Sequence, residues 1–114
     1  MGLDDSLKKI VDEYREDPRN KVFAPMDLLV ESVAEETGDS VNHSQLNSII
    51  EDYIAGTISG SEQDIYDGAL FACGELARQC FGENPDDEDE EVDYQISWLQ
   101  DDEGYYFAEI RPES

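Results

Sequence analysis

The chain has 114 residues, of which 30 are Asp or Glu and seven are Lys or Arg, for a formal net charge of −23 at pH 7. This length predicts a single acidic globular domain over residues 1–114. The acid excess excludes direct binding to nucleic acid or to an anionic membrane surface, and it opposes compaction because like charges repel most when the chain is folded. An apolar share of 39%, with six Tyr, four Phe and Trp98, nevertheless separates the chain from disordered acidic tails.

Leu3, Leu7, Ile10, Val11 and Tyr14 follow one helical face, with Asp4 or Asp5 placed as N-cap and Asp17-Pro18 as the stop. A loop over Arg19, Asn20, Lys21, Val22 and Phe23 leads to Pro25, which suits a first helical position. Met26, Leu29, Val30 and Val33 then form the core face of a second helix that Gly38 ends. Leu46, Ile49, Ile50, Tyr53 and Ile54 predict a third helix closed by Gly56, and His43 just ahead of it suits a capping or surface role.

The capping-box pattern Ser59-x-x-Glu62 opens a fourth and longest helix, with Tyr66, Leu70, Cys73, Leu76, Ala77, Cys80 and Phe81 inward and Gly82 as its end. Residues 1–82 are therefore predicted helical and 83–91 an acidic loop, and over 92–111 the period changes to two. Val92, Tyr94, Ile96 and Trp98 alternate with polar residues, as do Tyr106, Ala108 and Ile110. A hairpin turning at Asp102-Glu103-Gly104, with Gly104 left-handed, sets Trp98 opposite Ala108 and Ile96 opposite Ile110. The fold class is α+β: four helices followed by a C-terminal antiparallel hairpin packed on them. Leu99, Tyr105 and Phe107 fall on the hairpin's other face, to be covered by a third layer or a partner.

Cys73 and Cys80 lie about 10 Å apart along one helix, too far for a disulfide, and read as reduced core residues. With no apolar signal core and no hydrophobic run near about twenty residues, the expected location is cytoplasmic. His43 is the only histidine, and there is no zinc spacing, phosphate-cradling glycine loop or calcium-loop pattern. No catalytic residue, metal or cofactor is predicted.

The charge is uneven. Residues 58–114 carry net −15 and residues 1–57 net −8. Asp27, Glu31 and Glu35 lie at i, i+4 and i+8 along the second helix, their stems about 6 Å apart, close to the spacing of phosphates along a strand. The second concentration is Asp86, Asp87, Glu88, Asp89, Glu90 and Glu91 with Asp93, followed by the turn acids Asp101, Asp102 and Glu103. A run of this kind is in itself an ordinary solvated face or linker. The two concentrations together, with no cation between Arg78 and Arg111, point to a cationic partner.

In size, acidity and mixed helix and hairpin content the chain resembles the small acidic DNA mimics of phages and mobile elements, which block restriction enzymes, CRISPR effectors or DNA-binding regulators. No motif is matched, so no residue role is carried over. The resemblance implies a non-enzymatic inhibitor of a basic nucleic-acid-binding protein, using the carboxylates named above with Tyr105 and Phe107 as aromatic anchors. The alternatives are an immunity protein that neutralises a basic nuclease toxin and a halophilic partner-binding adaptor. A homodimer through Leu99, Tyr105 and Phe107 is a further expectation, provided that the acids point away from the interface.

Overall fold

The computed structural model describes residues 3–82 and 92–113. Among them the order is α1 (Leu3–Glu16), β1 (Val22–Ala24), α2 (Met26–Thr37), α3 (His43–Ala55), α4 (Gly60–Phe81), β2 (Tyr94–Gln100) and β3 (Tyr106–Pro112). The fold is α+β, with the hairpin forming part of a three-stranded antiparallel sheet of order β1-β3-β2. The predicted register holds: Trp98 pairs with Ala108 and Ile96 with Ile110, and Gly104 turns the hairpin at φ 87°.

β1 corrects the expected loop over residues 19–23. Val22 pairs with Ile110 and Ala24 with Ala108, so this strand lies along the opposite side of β3 from β2. Val22 and Ala24 are buried while Phe23 between them faces out. Three residues are too few for alternation to be told from a loop by pattern alone.

α4 lies against the other helices and the inner sheet face. Leu28, Leu29, Leu46, Ile50, Leu76 and Ile110 are fully buried, each worth roughly 1.5–3 kcal/mol against exposure. α2 and α4 meet at Ser32 and Gly68. The Ser32 hydroxyl donates to the Gly68 carbonyl at 2.5 Å and accepts from the Ala72 amide at 3.2 Å, bridging one i/i+4 rung of α4. A Cβ on Gly68 would stand 3.2 Å from Thr37 Cγ2 and 3.4 Å from the Val33 Cα, so the contact depends on glycine.

Several local expectations are refined. Pro25 is the N-cap of α2, and Asp4 and Asp5 sit in the first turn of α1 instead of capping it. His43 is the first residue of α3, capped by Asn42 through a reciprocal box with Gln45. Tyr53 and Ile54, expected inside, are 43% and 51% exposed, because Leu46, Ile49 and Ile50 of the earlier turns supply the buried contact of α3. Tyr53 instead stacks on Tyr66 with ring centroids 4.0 Å apart, and the Tyr66 hydroxyl accepts a hydrogen bond from Trp98 Nε1 at 3.1 Å.

The capping box of α4 forms as the sequence predicts: Ser59 Oγ accepts from the Glu62 amide, and the Glu62 carboxylate accepts from the Ser59 amide. That backbone hydrogen bond is the main cause holding the Glu62 carboxyl below its ordinary range, while a side-chain hydrogen bond to Glu62 raises Asp52 above its own. Two carboxylates share a hydrogen bond only when one carries a proton, and the opposite directions of the two shifts make Asp52 the one that takes it up as the pH falls. A raised folded value means that Asp52 favours the fold below its unfolded pKa and that this contribution is lost as the pH rises through the folded value. Asp52→Asn supplies the donor at every pH. It is expected to raise the melting temperature at pH 7, with the gain over the parent shrinking as the pH falls through the raised Asp52 value; a gain that does not change with pH would refute the shared proton.

The α2/α4 contact predicts contrasting glycine substitutions. Gly68→Val is expected to cost about 1–3 kcal/mol by overpacking. Gly60→Ala, where a Cβ meets nothing within 4 Å, is expected to gain up to about 1 kcal/mol. Urea unfolding midpoints check both.

Candidate functional site

The inner side of α2 is fixed by Met26, Leu28, Leu29, Ser32 and Val33, which are buried. The row Asp27, Glu31 and Glu35 is thereby carried on the outer side. Asp27 and Glu35 are exposed, whereas Glu31 is half-buried and accepts a hydrogen bond from Ser6 of α1 at 2.7 Å. α1 thus borders the row, and Asp5 and Glu13 line the same shallow groove as Asp27, Glu31, Lys9 and His43.

The hairpin turn reaches this row from the other end. Asp101, Glu103 and Tyr105 share a hollow with Pro25, Asp27 and His43. His43 Nε2 lies 2.5 Å from Asp27 Oδ1, and its ring is 6.2 Å from that of Tyr105 in an edge arrangement. Asp101 organises the turn: its Oδ1 accepts from the Glu103 amide at 2.9 Å and the Tyr105 amide at 3.0 Å. Asp102 and Glu103 remain exposed.

Beyond Glu35 the acidic surface continues. Asp4, Asp5, Glu35 and Glu36 surround Phe71 of α4, and Glu36 and Phe71 in turn border Asp64, Asp67 and Glu75. Three helices and the turn therefore build one connected band, running from Asp101 and Glu103 through Asp27, Glu31 and Glu35 to Asp64 and Asp67. Lys9 and His43 lie within it. Arg19 pairs with Asp17 and Arg111 with Glu109, so these cations are engaged elsewhere.

Other predicted site residues are placed apart. Phe107 is on the outer face of the sheet, with its ring 5.8 Å from that of Phe23. Leu99 shares that face, as do the Glu109–Arg111 pair and Lys21, whose Nζ is 5.6 Å from the Phe23 ring centroid. Neighbouring β1 thus adds an aromatic to this face where a third layer was one expectation. Asp93 is exposed just before β2, at the opposite end of the hairpin from Asp101, roughly 25 Å away along an extended strand. Asp86 to Glu91 lie outside the described residues.

Two residues that shape the band, one within it and one that holds its turn, were missed by pattern reading. Phe71 is 42% exposed, and its signal is an aromatic one position beyond the inward Leu70, off the buried stripe of α4. Asn47 ties α3 to the hairpin: its Oδ1 accepts from the Tyr106 amide at 2.8 Å and its Nδ2 donates to the Gly104 carbonyl at 3.2 Å. An Asn next to the buried Leu46 within a helix is a weak helix former there, which hints at a partner elsewhere.

The described residues offer little for covalent or metal chemistry. Burial raises the Cys73 thiol to about 12 and the Cys80 thiol to about 11, so neither is a thiolate at neutral pH. No group of three His, Cys, Asp or Glu converges as a metal site among them. No described helix is long and apolar enough to cross a membrane. Comparison with protein-family models, curated proteins and solved structures finds no match to this chain.

Because Asn47 holds the turn that brings Asp101 and Glu103 to Asp27, Asn47→Ala is expected to cost about 1–3 kcal/mol. It should also speed amide exchange at Tyr106 while leaving α4 amides protected. Native-state hydrogen exchange checks this, and unchanged Tyr106 protection would remove the anchoring role.

Proposed function

We propose that this chain is a non-enzymatic inhibitor that occupies the nucleic-acid groove of a basic protein and presents carboxylates where phosphates otherwise bind. The observation that carries this reading is the connected band from the hairpin turn along α2 to α4, with the Asp27, Glu31 and Glu35 row at its centre. The accessible surface of 6967 Å² averages about 300 Å² per net charge, less than half the charge density of duplex DNA. Mimicry at that average would be poor, so the concentration of acids on one band supports the reading more than their total does.

In this mechanism the target's Arg and Lys side chains form charge-assisted hydrogen bonds to the band, and its field speeds encounter. Charge alone gives speed and register; affinity needs a desolvated anchor. Phe71, exposed amid Asp4, Glu35 and Glu36, is suited to that role, with Tyr105 at the other end of the band. The basic partner is a nuclease, a restriction or CRISPR effector, or a DNA-binding regulator, and the chain itself does not bind nucleic acid.

The test is capture of basic proteins from lysate on the immobilised chain, with and without excess DNA or RNA, followed by affinity measurement on the captured target. The triple variant Asp27→Asn, Glu31→Gln, Glu35→Gln is expected to weaken binding at least about tenfold, mainly through slower association, and to flatten its salt dependence. Phe71→Ala is expected to cost a further roughly 1–2 kcal/mol, through faster dissociation and with the fold intact. Captured partners that are not basic, or capture that excess nucleic acid leaves unchanged, would overturn the proposal.

A further inference from the structure

Among the described residues β2 is an edge strand without the usual protections. In the order β1-β3-β2 no strand lies on its far side among the described residues. Its seven residues carry no charge, although charged residues make up 32% of the chain. It pairs with β3 residue for residue from Tyr94↔Pro112 to Gln100↔Tyr106, so no bulge turns the edge aside. Natural edges are shortened, charged, bulged or interrupted by proline to prevent a further strand from adding. The other edge follows that rule: β1 has three residues, with Lys21 before it and Pro25 just beyond it.

The hydrogen-bonding pattern identifies the groups that β2 offers. The Asp101 amide donates to the Tyr105 carbonyl at 3.0 Å and the Glu113 amide to the Asp93 carbonyl at 3.1 Å. Bonded and non-bonded pairs alternate along an antiparallel ladder. The odd-numbered residues between these two points therefore face β3, and the N–H and C=O groups of Ile96 and Trp98 point out of the edge.

Charge at the strand ends selects the occupant. Asp93 precedes β2, and Asp101, Asp102 and Glu103 follow it. A second copy pairing antiparallel about the middle of β2 would set Asp93 against the other copy's Asp101, and parallel pairing would set each acid against itself. Like charges directly opposite are destabilising in either case. A strand with Lys or Arg at both ends meets carboxylates at both ends.

We propose that β2 is the docking edge for an extended segment of a cationic protein, which adds as a fourth strand through the Ile96 and Trp98 backbone groups and sets its basic ends against Asp93 and the turn acids. This rests on the reading of the partner as a basic protein, and it names backbone addition as a source of affinity separate from the α2 band.

The probe is the peptide Lys-Lys-Thr-Val-Thr-Val-Thr-Lys-Lys, added to the full chain and read by residue-resolved amide exchange. In the free chain the Ile96 and Trp98 amides are expected to exchange much faster than those of Gln95, Ser97 and Leu99. With the peptide, both should slow by at least about tenfold. A version N-methylated at every Thr and Val, and one with Glu in place of each Lys, should each bind at least about tenfold more weakly. Absence of binding, protection only at residues outside β2, or equal affinity of the N-methylated peptide would each overturn the inference. If capture of basic proteins competes with nucleic acid while Ile96 and Trp98 stay unprotected, strand addition alone fails. If both amides are protected while nucleic acid never competes, the mimic reading alone fails.

Discussion

The contact between α2 and α4 decides how this molecule faces solvent. Ser32 and Gly68 allow the two helix backbones to approach, and the hydroxyl of one fills the polar valence of the other without a charge. With Leu28, Leu29 and Val33 pinned on that side, α2 has a single rotational setting, and its acidic residues have no route to the interior. A large roll about the helix axis would bring carboxylates toward the apolar interior, where the desolvation of a charge far exceeds the few tenths of a kcal/mol that helical neighbours exert on one another. The position of the band follows from core packing more than from any attraction between its members.

The turn is held by different means. Asp101 to Glu103 carry no apolar side chain of their own; beside the partly buried Tyr105, an amide side chain on α3 and an Asx-type turn hold them near α2 by hydrogen bonds. These bonds act against like-charge repulsion from Asp27. The two from Asn47, together worth roughly 1–3 kcal/mol, are comparable to the repulsion of a few exposed carboxylates screened by salt. The helical part of the band is therefore rigidly set, and its hairpin part is the part most responsive to ionic strength.

Much of the fold was legible because its signals were redundant. Apolar spacing and a terminal glycine coincide in α3 and α4, with a capping box added in α4, and the register of the hairpin followed from alternation plus one glycine at the turn. β1 was not legible, since three residues carry no period, and neither was the exposure of Tyr53 and Ile54, since an amphipathic stripe does not reveal how much of its length a neighbour covers. For the candidate site, the α2 row was readable from spacing, and the turn acids from their run. Their meeting at Asp27 was not, because it depends on Asn47, whose two hydrogen bonds span the chain from α3 to the hairpin. Asp93 and the turn acids looked adjacent in sequence, yet an extended strand holds them at opposite ends.

The pairing of β1 with β3 has a kinetic consequence. Val22 has no lateral partner until Ile110 is in place, and nearly the whole helical portion lies between them. Loop closure over such a span carries an entropic cost that local helix formation does not, so the helices should assemble first and the sheet should close last. In a nascent chain the strand holding Phe23 must wait, with its backbone groups unpaired, until the C-terminal strand has left the ribosome. The mutual repulsion of so many carboxylates would then serve as a built-in chaperone, keeping half-finished molecules apart during that interval.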